Sequence, residues 1–230
     1  MNSKHIRLWD LPTRLFHWLL VLAVIGAVVS GQLGGNLIVW HGRLGLFIIG
    51  LLVFRIVWGL IGSTYARFAH FFPTPARLRA YLGGEWRQPG HNPLGALSVF
   101  ALLTVVGFQA VSGLFSNDDI AFVGPLFDLV DKSLSNRLTG LHHLMANLLY
   151  VLVGLHVAAI VFYVRVKKNN MLRPMLTGSK EVEHGEDARG GGLLALTVAV
   201  LLALAAVYGA SGAWLPEPPP PPAAEDIPAW

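Results

Sequence analysis

No cysteine occurs among the 230 residues. Disulfides, thiolate-held zinc, cysteine-ligated iron–sulfur clusters and, for want of a CxxCH motif, covalently attached haem c are excluded together. Charge is scarce as well: Asp, Glu, Lys and Arg make up 13% of the chain, against about 25% in soluble proteins. Apolar residues fill the space, at 54%. The basic excess of +4 is a topological signal in such a chain, since Lys and Arg mark the cytoplasmic side of membrane proteins, and it points to no nucleic acid.

A hydrocarbon core of ~30 Å needs about 20 apolar residues as helix. Five segments qualify: 11–33, 40–61, 94–115, 139–164 and 192–210. The first has clean start chemistry, with Asp10 as N-cap and Pro12 in the first turn. The third follows "GHNP", a breaker suited to a helix start. Residues 1–31 also scan as a signal peptide ending in "VVSG", but the apolar run is long for that role.

The connections sort by charge. Residues 1–14, 63–93 and 165–191 hold 13 of the 17 basic residues; the 116–138 loop holds Asp118, Asp119, Asp128 and Asp131 against Lys132 and Arg137. The positive-inside rule therefore places the N-terminus in the cytoplasm and the C-terminus outside. The expected organisation is a membrane core over 1–180, a cytoplasmic linker over 181–191, a fifth transmembrane helix over 192–210 and a proline-rich extracytoplasmic tail over 211–230. The tail "WLPEPPPPPAAEDIPAW" should be extended polyproline II, either a solvated spacer or a docking arm anchored by Trp214 and Trp230.

Nine histidines occur. His5, His70, His91 and His184 fall in loops and read as ordinary solvated residues. His17, His41, His142, His143 and His156 fall in spans, where an ionisable group marks a functional site. At 100° per residue, His142 and His156, 14 positions apart, lie roughly 40° from the same face and roughly 21 Å apart along the axis, while His143 points away. Topology places His17 level with His156 at the inner side, and His41 level with His142 at the outer side. Two imidazoles facing each other suit a six-coordinate haem b. Zinc wants three or four ligands, and no carboxylate lies within the first four spans. Arg55, 14 positions from His41, is expected to pair with a propionate of the inner haem, and Arg43 to serve the outer haem in the same way. Gly31, Gly45 and Ala146 are the small neighbours a porphyrin between helices requires.

Four stretches, "WDLPTRLFHW", "WHGRLGLFIIGLLVFRIVWGL", "HNPLGALSVFALL" and "HHLMANLLYVLVGLHVAA", closing with "LRPMLTG", cover roughly residues 8–178. Together they resemble the bacterial membrane b-type cytochromes, the family that joins cytochrome b561 to the haem-b subunit of nickel–iron hydrogenases. The resemblance implies an all-α membrane protein: a four-helix transmembrane bundle holding two stacked haems b, ligated from the first, second and fourth helices. The third helix here has no histidine, in agreement. His17, His41, His142 and His156 are the iron ligands it implies, the four that helical geometry selects. The fifth C-terminal transmembrane helix and its tail lie outside the resembling region. The expected function is an inner-membrane di-haem cytochrome of a respiratory chain, passing electrons between the quinone pool and a periplasmic cytochrome c or oxidoreductase subunit. Gln109 and Asn147 are candidates for bonding the quinone or quinol. The alternatives are a quinone-linked superoxide oxidase, which the acidic 116–138 loop disfavours by repelling the anion, and a non-redox membrane anchor subunit.

Overall fold

The computed structural model describes residues 3–120 and 122–216; the proline-rich tail beyond, with Trp230, lies outside the described residues. Strand β1 (Lys4–Arg7) leads into α1 (Leu11–Leu33), then α2 (Ile38–Ile61), the short α3 (Phe68–Phe71) and α4 (Pro75–Leu82), α5 (Pro93–Leu114), α6 (Lys132–Arg165), α7 (Leu172–Thr177), β2 (Ser179–Val182) and α8 (Leu193–Ala210). Five helices, α1, α2, α5, α6 and α8, are long and apolar enough to cross a bilayer.

Local chemistry explains the boundaries. The Asp10 carboxylate accepts from the Thr13 backbone N–H at 2.7 Å and caps α1, with Pro12 in the first turn. Gly34 and Gly35, at φ of 61° and 54°, make the tight turn into α2. Asn92 caps α5 through Gly95 N at 2.7 Å, directly before Pro93. The largest departure from the hydropathy reading is α6, which starts at Lys132, seven residues before the expected 139. Its first two turns are polar, so they carry no hydropathy signal. Asp131 caps them through Leu134 N at 3.0 Å, and Ser135 and Thr139 bond the chain leaving α5: Ser135 Oγ donates to Phe115 O at 2.7 Å, and Asn117 N donates to Thr139 Oγ1 at 3.1 Å.

Helix α1 packs along α2 and α5 along α6; α2 joins the two pairs, and α8 lies along the opposite side of α2. A β-carbon at Gly50 would sit 2.8 Å from Val207 of α8. Gly50 is nine positions from His41, roughly 180° around the helix. The fifth span thus covers the back of α2 and leaves the histidine face to the other four helices. At mid-height Ala23, Ile48, Leu51, Leu52, Val105, Val106 and Leu149 form one buried apolar layer, which Phe16 joins from the His17 end.

The three basic connections are gathered at one end. β1 pairs antiparallel with β2, Lys4 opposite Val182 and Arg7 opposite Ser179. Tyr65 Oη donates to Glu186 O at 2.7 Å, Thr64 N to Arg189 O at 2.8 Å, and Lys180 Nζ to Pro89 O at 3.0 Å. Ile6, Leu8, Trp9 and Tyr65 form the small core of this layer. Segment 181–191 is therefore folded against residues 4–7 and 63–65 rather than crossing free space.

Candidate metal centres

Four helices each carry a pair of positions 14 residues apart: 17 and 31 on α1, 41 and 55 on α2, 98 and 112 on α5, 142 and 156 on α6. Successive helices run in opposite directions, so these positions gather into two levels. The outer level, toward the 34–37 turn, holds Gly31, His41, Ser112 and His142. The inner level, toward the β1–β2 sheet, holds His17, Arg55, Ser98 and His156. The apolar mid-layer separates them.

At the outer level the His41 and His142 ring centres are 5.9 Å apart. His41 Nδ1 lies 2.8 Å from the Ala27 carbonyl oxygen. A carbonyl only accepts, so Nδ1 carries the proton and Nε2 keeps a free lone pair. His142 is set the same way. Ser112 Oγ donates its one proton to Gln109 O at 3.1 Å, so it accepts from His142 Nδ1, also at 3.1 Å. Both imidazoles thus hold Nε2 in reserve, the tautomer a metal needs. Metal–imidazole bonds of about 2 Å put two rings on opposite sides of one metal atom at a centre spacing on the order of 6 Å, close to that observed. Space supports the same fit. A β-carbon at Gly31 would lie 2.7 Å from His41 Nδ1, one at Gly113 would lie 3.2 Å from His142 Cε1, and one at Gly45 would meet nothing within 4 Å. The glycines let the rings approach their helices and leave room beside them.

The inner level places His17 and His156 close enough to act on each other electrostatically. Ser98 Oγ is 3.5 Å from His156 Nδ1, the inner counterpart of Ser112. Arg55 is 4% exposed; its guanidinium lies 4.5 Å from the Phe68 ring centre and 6.0 Å from that of Phe16. Among the described residues, its Nη1 and the Nδ1 of His17 have no hydrogen-bond partner. Arg43 stands apart: it is exposed and stacks over Trp40 at 4.9 Å. His143 is exposed beside His142, and Asn147 faces outward; Gln109 is half-buried, with Oε1 unpartnered among the described residues.

One loop histidine does not fit the expectation of solvent. His91 packs between Trp9 and Phe71, with ring centres at 4.7 and 4.4 Å, and its Nδ1 is buried without a partner among the described residues. Burial, with Arg55, His156 and His17 nearby, pushes its pKa down to about 3. A loop position hid this, because the folding of 63–93 over the bundle end cannot be read from composition. Ser98 and Ser112 were also missed, although their 14-residue spacing is the detectable signal.

Residues 8–178 match the family model of prokaryotic cytochrome b561. The chain belongs to the prokaryotic cytochrome b561 family. With its five apolar helices it is a multi-pass membrane protein. The matched region closes on itself: Leu8 N and Trp9 N both donate to Gly178 O, at 2.8 and 3.1 Å. Three family relatives illustrate the range. A probable Ni/Fe-hydrogenase B-type cytochrome subunit of Azotobacter vinelandii is 24% identical over 216 residues, covering 75% of this chain and 87% of the relative. Its counterpart in Bradyrhizobium diazoefficiens is 26% identical over 213 residues, covering 76% and 86%. A probable Ni/Fe-hydrogenase 1 B-type cytochrome subunit of Escherichia coli K12 is 23% identical over 136 residues, covering 46% and 57%. No solved structure matches the chain significantly.

The Ser112–His142 bond has a direct consequence. Ser112→Ala takes from His142 Nδ1 the hydroxyl at 3.1 Å and leaves only the Gln109 carbonyl near it, and losing such an outer partner weakens metal binding about 10- to 100-fold. Retention of cofactor by the His41–His142 level should fall by that order in a competition with apo-myoglobin, and Ser112→Thr should restore it.

Proposed function

We propose that this cytochrome b561 family member holds two haems b, one between His41 and His142 and one between His17 and His156, and carries electrons across the membrane. Bound there, each haem supplies reversible one-electron exchange. The protein orients both outer imidazoles through Nδ1, keeps water from the space between levels with the mid-layer, and sets a buried cation, Arg55, beside the inner site. Arg55 pairs with an inner propionate, and Arg43 serves as a surface partner for an outer one. The observation that carries this reading is the stacking of two histidine pairs 14 residues apart, with Nε2 unclaimed at the outer pair.

The basic end is assigned to the cytoplasm of a bacterial inner membrane and the outer level to the periplasm. Electrons then pass between the quinone pool and a partner at the outer end, where Asp118, Asp119, Asp128 and Asp131 favour a cationic docking face. The hydrogenase-subunit names of the relatives support a periplasmic oxidoreductase subunit as that partner, with a soluble cytochrome c the other candidate. Gln109 and Asn147 are the intramembrane groups proposed for the quinone.

Proteoliposomes test the route. With quinol in the bilayer and an impermeant oxidant facing the outer level, the wild type should reduce the oxidant. His17→Ala and His41→Ala should each stop it. Equal rates in wild type and variants would contradict transmembrane transfer.

A further inference from the structure

The two levels differ in what they leave unsatisfied. At the outer level both Nδ1 atoms are bonded. At the inner level, among the described residues, His17 Nδ1, Arg55 Nη1 and His91 Nδ1 are all buried without partners. Unpaired buried donors are destabilising, more so when charged, and a cation inside a membrane protein is held by a partner. Among the described residues, no protein acceptor takes that role. Asp10 is the carboxylate that acts on Arg55 electrostatically, yet its two oxygens are engaged, Oδ1 by Thr13 N at 2.7 Å and Oδ2 by Trp58 Nε1 at 3.0 Å.

His91 reaches this place from a third direction. Trp9 and Phe71 hold its ring on two sides, and the Asn92–Pro93 cap of α5 fixes its backbone. Arg55, His156 and His17 are the groups whose charges it feels. The Arg55 guanidinium lies 4.5 Å from the Phe68 ring centre, Phe68 lies 5.9 Å from Phe71, and Phe71 lies 4.4 Å from His91. An unpartnered nitrogen from α2 and one from the segment before α5 therefore flank the same Phe68–Phe71 pair, with no acceptor for either among the described residues. An acceptor with two oxygens, one for each donor, completes the set.

We propose that Arg55 and His91 form a two-donor clamp for a carboxylate of the group seated at the inner level, a propionate of the inner haem. This rests on the two-haem reading above. His91 stays neutral, so it donates one N–H and leaves Arg55 as the charge facing the carboxylate. Held by both donors, the propionate presents less negative charge to the iron, which favours the reduced state.

Redox-difference infrared spectroscopy on protein loaded with haem carrying 13C-labelled propionate carboxyls reads the clamp directly. In His91→Leu the labelled propionate band of the inner haem should shift, and the inner midpoint potential should fall while the outer one stays. His91→Gln, which keeps a neutral N–H donor, should restore both. His91→Phe, close in shape to the ring it replaces between Trp9 and Phe71, carries the same prediction if the leucine variant fails to accumulate. An unmoved band and potential with the inner haem still bound would overturn the clamp alone. So would a shift found only in the carbonyl of a 13C-labelled quinone, which would place the acceptor oxygen on quinone. Wild-type protein without haem at the inner level would overturn the two-haem reading and the clamp together.

Discussion

His41→Ala should halve the haem content of the purified protein, and His142→Ala should do the same. Each removes one of two rings whose centres lie 5.9 Å apart and leaves the inner pair intact. The levels are roughly 21 Å apart along the axis, with Ala23, Ile48, Leu51, Leu52, Val105, Val106 and Leu149 packed between. Sites so far apart with no shared partner behave independently. His17→Ala and His156→Ala should therefore produce the complementary loss, keeping the outer haem. Absorption spectra of the four variants should fall into two classes, one per level. Loss of both haems from any single variant would mean that the levels are coupled, and unchanged haem in His41→Ala would remove that residue as a ligand.

Gly31→Val should abolish the outer haem without touching any ligand. A β-carbon at Gly31 would meet His41 Nδ1 at 2.7 Å and Cε1 at 3.0 Å, closer than van der Waals contact permits. The ring is tethered to Ala27 O, so it escapes only by breaking that bond and turning its Nε2 away from His142. Overpacking of this kind costs about 1–3 kcal/mol, which a helix bundle can absorb, whereas a ligand displaced by an ångström cannot bind. The chain should still insert, with the inner haem unaltered. Gly31→Ala carries the same clash with one carbon and should show a weaker form of the defect. Absorption and EPR spectra check both, and a wild-type outer haem in Gly31→Val would contradict the placement of His41.

The ends of α1 were legible because Asp10 and Pro12 are explicit start chemistry and the apolar run stops at the Gly34–Gly35 turn. The first two turns of α6 were not, since Ser135 and Thr139 hold a helix by bonding the α5–α6 loop and register as polar loop residues. Within the site, the 14-residue spacing brought out His142, His156 and Arg55 because it is a property of one helix at a time, and the topology of the spans paired His17 and His41 with the α6 histidines. That spacing marked Gly31 as 14 positions from His17 on α1, and the close approach its missing β-carbon permits is with His41 on the next helix. His91 shows the same boundary more sharply. Its burial depends on Trp9 and Phe71 meeting over the end of the bundle, a tertiary event with no local periodicity. Arg43, two positions from His41, was placed by proximity in sequence; the structure sets it over Trp40 at the surface.

The central claim is two haems b per chain, each between a pair of histidines. A pyridine haemochrome assay against protein mass, combined with a potentiometric titration of the α-band, tests it most directly. The account predicts two haems b per polypeptide, both low-spin and titrating as two components. One haem or none per chain in fully loaded protein would contradict it.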